Sequence, residues 1–242
     1  MAGITLNCDL GESFGMYQIG NDEAIIPLVD AVNIACGFHA GDSHTMNKTV
    51  QLAKKHQVDI GAHPGFQDLQ GFGRRNIDIL PEQAYELVVY QLGALQGFVT
   101  IHDMQLAHVK PHGALYNMAC NKRELAIAIA QAVHDVDPNL VLVGLANSEL
   151  INVGEEMGLQ VANEVFADRI YQPNGSLTPR SEPNAVIHDI EQAMKQVNEI
   201  VTKGQVTTIN GDNINIKADT ICVHGDSKEA LYFVQRIREI IG

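Results

Sequence analysis

Residues 31–42 read Ala31-Val32-Asn33-Ile34-Ala35-Cys36-Gly37-Phe38-His39-Ala40-Gly41-Asp42. A short, mostly apolar, β-type run gives way to a glycine-bracketed polar loop. A helical pattern then runs from Ser43, its expected cap, to about Gln57, with Met46, Val50, Leu52 and Ala53 as its apolar members. A strand that is apolar along its length, rather than alternating, belongs to a parallel sheet covered on both faces. This stretch is therefore one β–loop–α unit.

The same unit recurs in both directions. Strands are expected at Ile4–Cys8, Ala31–Cys36, Asp59–Ala62, Leu106–Lys110, Leu140–Leu145, Gln160–Val165 and Thr220–His224. Pro81, at a first-turn position, opens a helix in which Ala84, Leu87, Val88, Leu92 and Leu95 recur at helical spacing. Further helices are expected near Lys122–Val136, Asn147–Met157, Pro183–Thr202 and Ser227–Ile241. Asn210-Gly211-Asp212 between two β-type runs, Val206–Ile209 and Asn213–Ile216, reads as a small hairpin near 205–217 inserted before the last strand. Seven units imply an α/β fold, an incomplete TIM-like barrel, with an open doubly wound sheet as the alternative. A length of 242 residues suits one barrel domain spanning 1–242.

Composition narrows the function classes. The formal net charge of −13, with the few basic residues scattered, argues against nucleic-acid binding. No segment has the features of a signal peptide or the length of a membrane span. Cys8, Cys36, Cys120 and Cys222 are widely spaced, and three of them lie within or at the ends of strands, where a free cysteine acts as a small hydrophobe. A reducing cytoplasm is the expected setting.

The strand ends carry the chemistry. Polar or glycine-rich residues follow the apolar runs on their C-terminal side: Asn7–Glu12, Asn33–Asp42, Gly61–Gly65, Lys110–Ala114, Glu164–Arg169 and His224–Asp226. Parallel α/β folds place their sites at that edge. Some of these groups have plain structural roles available: Asp42 and Asp226 suit helix caps, and His44, His56, His102, His134 and His188, in helix-like segments, suit the surface. His39, His63, His112 and His224, in contrast, each end a different strand. Asp9 and Glu12 are close enough in sequence to share acid–base work or a metal. Lys110 closes an apolar strand, where burying it is costly without an anionic partner. Gly71-Phe72-Gly73-Arg74-Arg75 is either a solvated loop or a guanidinium site for carboxylate or phosphate. No phosphate-loop, dinucleotide or nucleophile-elbow motif is present.

These strand-end motifs, together with Pro179-Arg180, resemble in order the signatures of the LamB/YcsF family, the A subunits of bacterial 5-oxoprolinase. Phe66 stands where tyrosine is more usual in that pattern. The resemblance reaches nearly the whole chain. It implies a seven-stranded barrel of the glycoside hydrolase/deacetylase type and ATP-dependent opening of 5-oxo-L-proline to L-glutamate, with partner subunits B and C. It leaves self-association open, as it does the subunit that binds ATP.

On that resemblance Asp9, Glu12, His63, Lys110 and His112 are the expected catalytic groups. Asn7, Asn33, His39, Arg75, Glu164, Arg169 and His224 are the expected substrate contacts. The related deacetylases hold a divalent metal on an aspartate and two histidines, and by position Asp9, His63 and His112 correspond. ATP would phosphorylate the lactam carbonyl oxygen. Lys110 and Arg75 would neutralise anionic charge, Asp9 or Glu12 would position or deprotonate water, and His63 or His112 would serve as acid, base or metal ligand. Two rivals are a stand-alone metal-dependent hydrolase or deacetylase and a non-catalytic scaffold that binds substrate or docks the other subunits.

Overall fold

The structure is a computed structural model describing residues 3–180, 182–226 and 229–242. Seven parallel strands form its centre: β1 (Thr5–Leu10), β2 (Ala31–Ala35), β3 (Asp59–His63), β4 (Leu106–Val109), β5 (Val141–Leu145), β6 (Val161–Phe166) and, last in the chain, β9 (Thr220–His224). β9 pairs in parallel with both β6 and β1, which closes the barrel in the order β1-β2-β3-β4-β5-β6-β9. Closure removes the doubly wound alternative, since an open sheet would leave β1 and β6 without that shared neighbour. Between β6 and β9 lies the expected antiparallel hairpin, β7 (Gln205–Thr207) with β8 (Asn213–Asn215).

Eight helices surround the barrel among the described residues: α1 (Asp22–Ile25), α2 (Ser43–His56), α3 (Pro81–Ile101), α4 (Gly113–Asn121), α5 (Arg123–Val136), α6 (Glu149–Glu156), α7 (Ile190–Lys203) and α8 (Ala230–Ile241). None is long and apolar enough to cross a membrane. The α2 cap is Asp42 rather than Ser43: its carboxylate accepts from the Thr45 amide at 2.8 Å. A carboxylate at the positive end of the helix satisfies one of its free N–H groups and its dipole together. α4 follows β4 after only Lys110-Pro111-His112, and no capping side chain marks its start, so the sequence carries no helix signal there.

α7 begins at Ile190, well after the expected Pro183. Residues 182–189 are instead tied down as a loop, with Ile187 N donating to Asp168 O at 2.7 Å and Val186 bridging Arg169. His188 accordingly lies in that loop, exposed, rather than in a helix. The expected α8 start, Ser227, falls outside the described residues.

The apolar core fills the space between strands and helices as one continuous cluster, from Leu6 and Ile34 through Leu92 and Ile129 to Val234. The strand residues pointing into the barrel are different in kind. With side chains alternating along each strand, Asn7 and Asp9 of β1, Asn33 of β2, Gly61 and His63 of β3, and His108 of β4 form polar layers. Gly61 makes room for His108, whose imidazole any Cβ at position 61 would overlap. Gly61→Ala is therefore expected to cost about 3 kcal/mol through overpacking, read as a lowered denaturant midpoint at unchanged slope.

Candidate active site

At the C-terminal edge of the barrel a cavity of about 840 Å³ opens between the strand ends and the loops after β3, β4 and β6. Its floor is built on Lys110, the residue after β4. The ammonium lies 2.8 Å from Asp9 Oδ1, 2.7 Å from Glu164 Oε1 and 3.0 Å from Cys222 Sγ. The ammonium donates to Asp9 Oδ1, Cys222 Sγ and, at 3.4 Å, Asn7 Oδ1, while Glu164 is an ion-pair neighbour and the Phe166 ring lies 5.5 Å away. Burial alone would strip the proton from Lys110, but Asp9, Cys222 and Glu164 around it hold its pKa well above the usual lysine value. Burial likewise disfavours the Asp9 carboxylate, and here His63 and Lys110 prevail, keeping Asp9 well below the usual range. Tyr116 of α4 donates to the other oxygen of Glu164 at 2.8 Å.

Asp9 is oriented from below. His108 Nε2 lies 2.6 Å from Asn33 Oδ1, and Asn33 Nδ2 donates to Asp9 Oδ1 and Asn7 Oδ1, both at 2.7 Å. Burial presses the His108 pKa down to about 3, so its ring is neutral and can donate only one proton. His108 was not among the residues expected from sequence. Its signal was its spacing: it sits two residues before Lys110 and therefore on the same inward face.

A second group of side chains abuts Asp9. His63 Nε2 is 3.4 Å from Asp9 Oδ2 and 2.9 Å from His112 Nδ1. The His39 ring stacks on that of His112 with centroids 3.6 Å apart and planes 3° from parallel. Glu12 Oε1 lies 3.5 Å from His39 Nε2 and 3.9 Å from His112 Nδ1. Burial pushes the Glu12 carboxyl well up, with Asp9 adding to it, and presses His39 and His112 well down. Gly73, at φ +61°, lets the following loop pass over these rings, and a Cβ there would come within 2.6 Å of His39 Cβ. Gln91 of α3 holds the loop after β3 from outside, accepting from Gly65 N at 2.9 Å and donating to Gly65 O at 3.0 Å.

The third group forms the rim. His224 Nδ1 is 3.2 Å from Asp168 Oδ2, and Arg180 Nη2 is 3.3 Å from His224 Nε2. Since arginine can only donate, His224 accepts through Nε2 and donates Nδ1–H to Asp168. Arg74 reaches Asp226 at 2.8 Å and lies over the Phe72 ring at 4.8 Å. Asp226 is thus an ion-pair partner, while the α8 cap position is Glu229. Arg169, buried, spends its guanidinium on the carbonyls of Thr178 at 2.6 Å and Ala185 at 3.3 Å, clamping the loop that carries Arg180.

Of the residues expected from sequence, Asp9, Asn7, Asn33, His63, Lys110, His112, Glu12, His39, Glu164 and His224 converge here. Arg75 does not: its side chain is 63% exposed and engaged with Asp68, outside the cavity. Its neighbour Arg74 lines the cavity instead, with Arg180 opposite. Arg74, Arg180, Asp168, Tyr116 and Cys222 were not among the expected site residues. Their roles depend on contacts between segments far apart in the chain.

Among the described residues two sets of side chains could hold a metal ion: the buried Glu12, His39, His63 and His112, and separately Asp9, Cys222 and the partly exposed His224. The expected trio is thus divided. His63 and His112 fall in the first set and Asp9 in the second. The first set fits a cation, because Glu12 Oε1 is buried with no hydrogen-bond donor, an arrangement that is costly without a positive partner.

Comparison with known proteins is consistent along the whole chain. The profile of the LamB/YcsF family matches residues 4–242. The A subunit of 5-oxoprolinase from Staphylococcus carnosus is 61% identical over 236 residues, covering 98% of this chain and 94% of the relative. Its counterpart from a bovine strain of Staphylococcus aureus is 58% identical over 238 residues, covering 98% and 95%. Among solved structures, a lactam utilization protein from Thermus thermophilus superposes with a TM-score of 0.92 at 44% identity, covering 98% of this chain and 95% of that one.

Proposed function

The chain belongs to the LamB/YcsF family, and from that premise we propose that it is the A component of an ATP-dependent 5-oxoprolinase, opening 5-oxo-L-proline to L-glutamate with subunits B and C. The observation that carries this reading is Lys110, a buried ammonium between two carboxylates at the floor of a cavity rimmed by Arg74 and Arg180. A small anionic substrate suits that arrangement, since its carboxylate meets guanidinium forks at the rim while its reacting carbonyl reaches the floor.

The reaction splits two bonds with two waters. Transfer of the ATP γ-phosphoryl group to the lactam oxygen releases ADP and makes the ring carbon electrophilic. Water adds to that carbon and the C–N bond breaks, the nitrogen taking a proton. A second water releases inorganic phosphate from the resulting acyl phosphate. Asp9, kept ionised by His63 and Lys110, is the group that accepts a proton from attacking water. The Lys110 ammonium stabilises negative charge developing on oxygen. His224, donating to Asp168 and accepting from Arg180, fixes Arg180 at the rim. Glu12, His63 and His112 would hold a divalent metal, which when bound polarises an oxygen or lowers the pKa of water. The four thiols are free and buried, which suits a reducing compartment, and we place the protein in the cytoplasm.

The histidine–carboxylate cluster also favours a second reading, a metal-dependent hydrolase acting alone. Glutamate release from 5-oxoproline, assayed with and without ATP and the partner subunits, separates the two. Turnover needing ATP and both partners supports the first; turnover by the chain and a divalent ion alone supports the second. The rim gives a finer test. Arg74→Ala is expected to raise KM at least tenfold, because a guanidinium facing the cavity is lost. Arg75→Ala should leave KM within about twofold, as its guanidinium is engaged with Asp68 and does not line the cavity.

A further inference from the structure

The ring nitrogens of His63 and His112 have their protons placed by backbone carbonyls. His63 Nδ1 is 2.7 Å from Lys110 O, and His112 Nε2 is 2.8 Å from Phe72 O. A carbonyl only accepts, so each of these nitrogens carries the N–H. The opposite nitrogens, His63 Nε2 and His112 Nδ1, face each other 2.9 Å apart, with Asp9 Oδ2 3.4 Å from the former. Two acceptor nitrogens at that separation need a positive species between them, either a shared proton or a cation. Glu12 Oε1, buried and without a donor, lies 3.9 Å from His112 Nδ1.

The geometry points to a divalent-cation site of the zinc class, held by His63 Nε2, His112 Nδ1 and the Glu12 carboxylate. Two imidazoles and one carboxylate are the donor set of an open zinc-type site, whereas magnesium and calcium prefer oxygen donors. The carbonyls on the far side of each ring serve as the outer partners that fix tautomer and orientation. The cavity reaches His63 and His112, which provides an entry path.

His39 is close to this group but does not share the ion. An imidazole binds a metal along its lone pair, in the plane of its ring. His39 and His112 lie in parallel planes with centroids 3.6 Å apart, so one ion cannot lie in both planes. His39 Nε2 instead faces Glu12 Oε1 at 3.5 Å with no hydrogen bond between them. Asp9 Oδ1 is engaged with Lys110 and Asn33, and its Oδ2, 3.4 Å from His63 Nε2, does not join the atoms that converge around Glu12.

The test uses the purified full-length chain and does not depend on the identity of the substrate. After chelation and desalting, addition of Zn²⁺ should leave one equivalent bound by elemental analysis. The melting temperature should rise by about 5 °C at a hundredfold excess over Kd, while Mg²⁺ and Ca²⁺ give no shift. Co²⁺ should bind with ligand-field bands and no thiolate charge-transfer band, which separates this site from the one containing Cys222. Glu12→Gln and His112→Gln should weaken binding at least a hundredfold, whereas His39→Gln and Cys222→Ser keep one equivalent. In ¹⁵N spectra of the Zn²⁺-loaded wild-type chain, His63 Nδ1 and His112 Nε2 should remain protonated. Absence of a stoichiometric ion with Zn²⁺, Co²⁺, Ni²⁺ and Mn²⁺, or a spectrum showing one proton shared between the two facing nitrogens, would overturn the proposal. So would loss of the ion in Cys222→Ser.

Discussion

Replacement of Lys110 by methionine is expected to abolish ATP-coupled lactam opening and to destabilise the fold by about 3–5 kcal/mol, the usual cost of removing one partner from a buried ion pair. Methionine matches the length of the side chain, so the loss is electrostatic. Asp9 and Glu164 would remain buried without the cation that lies 2.8 and 2.7 Å from them. The sign of the pH dependence follows from the directions of the shifts. Asp9 is depressed in the folded state, so its contribution to stability is present above the unfolded value of about 3.9 and lost as pH falls through the folded one. Lys110 is raised, so its contribution is present below about 10.4 and lost as pH rises through its folded value. Without the cation, His63 still favours the Asp9 carboxylate, but the opposing effect of burial is less fully offset, so the Asp9 carboxyl moves up from its wild-type value. The acid-side loss of stability should therefore begin at a higher pH in the variant than in the wild type, read in urea melts across the acid range. Adding Glu164→Gln should recover part of the stability and none of the activity. Recovery of both would show that Lys110 serves packing alone.

The second large effect is expected at Asp9. Asp9→Asn keeps the shape and the ability to accept from Lys110 and Asn33, but removes the group that takes a proton. A loss of about 10²–10⁴ in kcat is expected for a lost general base, with KM little changed because Arg74 and Arg180 still face the substrate. The pair of measurements distinguishes chemistry from architecture. A structural role would lower the melting point and leave the pH profile of the residual activity unaltered. A proton-accepting role removes the acidic limb of the kcat profile. Wild-type turnover by Asp9→Asn, assayed with the partner subunits, would exclude Asp9 from the chemistry.

Much of this was legible from residue order. Each β–loop–α unit is local: continuous apolar runs require cover on both faces, and the polar loop at the C-terminal end of each strand follows from where parallel strands open to solvent. Asp9, His63, Lys110 and His112 were visible because ionisable residues at successive apolar strand ends have no plain packing role. Other features were hidden for identifiable reasons. His108 looked like one residue of a strand, and its importance depends on Gly61 of the neighbouring strand making room for its ring. α7 looked longer because Ala185 and Ile187 extend its apolar pattern, whereas they are buried from a loop that Arg169 clamps. Arg74 and Arg75 are indistinguishable in sequence. The Asp68 carboxylate takes one and leaves the other to the cavity.

The run from Ala31 to Asp42, repeated in kind seven times, by itself determined a parallel α/β architecture with its polar residues at one edge, because strand burial and loop polarity are properties of neighbouring residues. Tertiary structure alone decided that the strands close, through β9 lying between β6 and β1. It alone decided that Lys110 meets Asp9 and Glu164, and which nitrogens of His63 and His112 face each other. Those outcomes depend on distances between groups many residues apart, set by barrel register and by carbonyls on other strands and loops, and no local pattern encodes them.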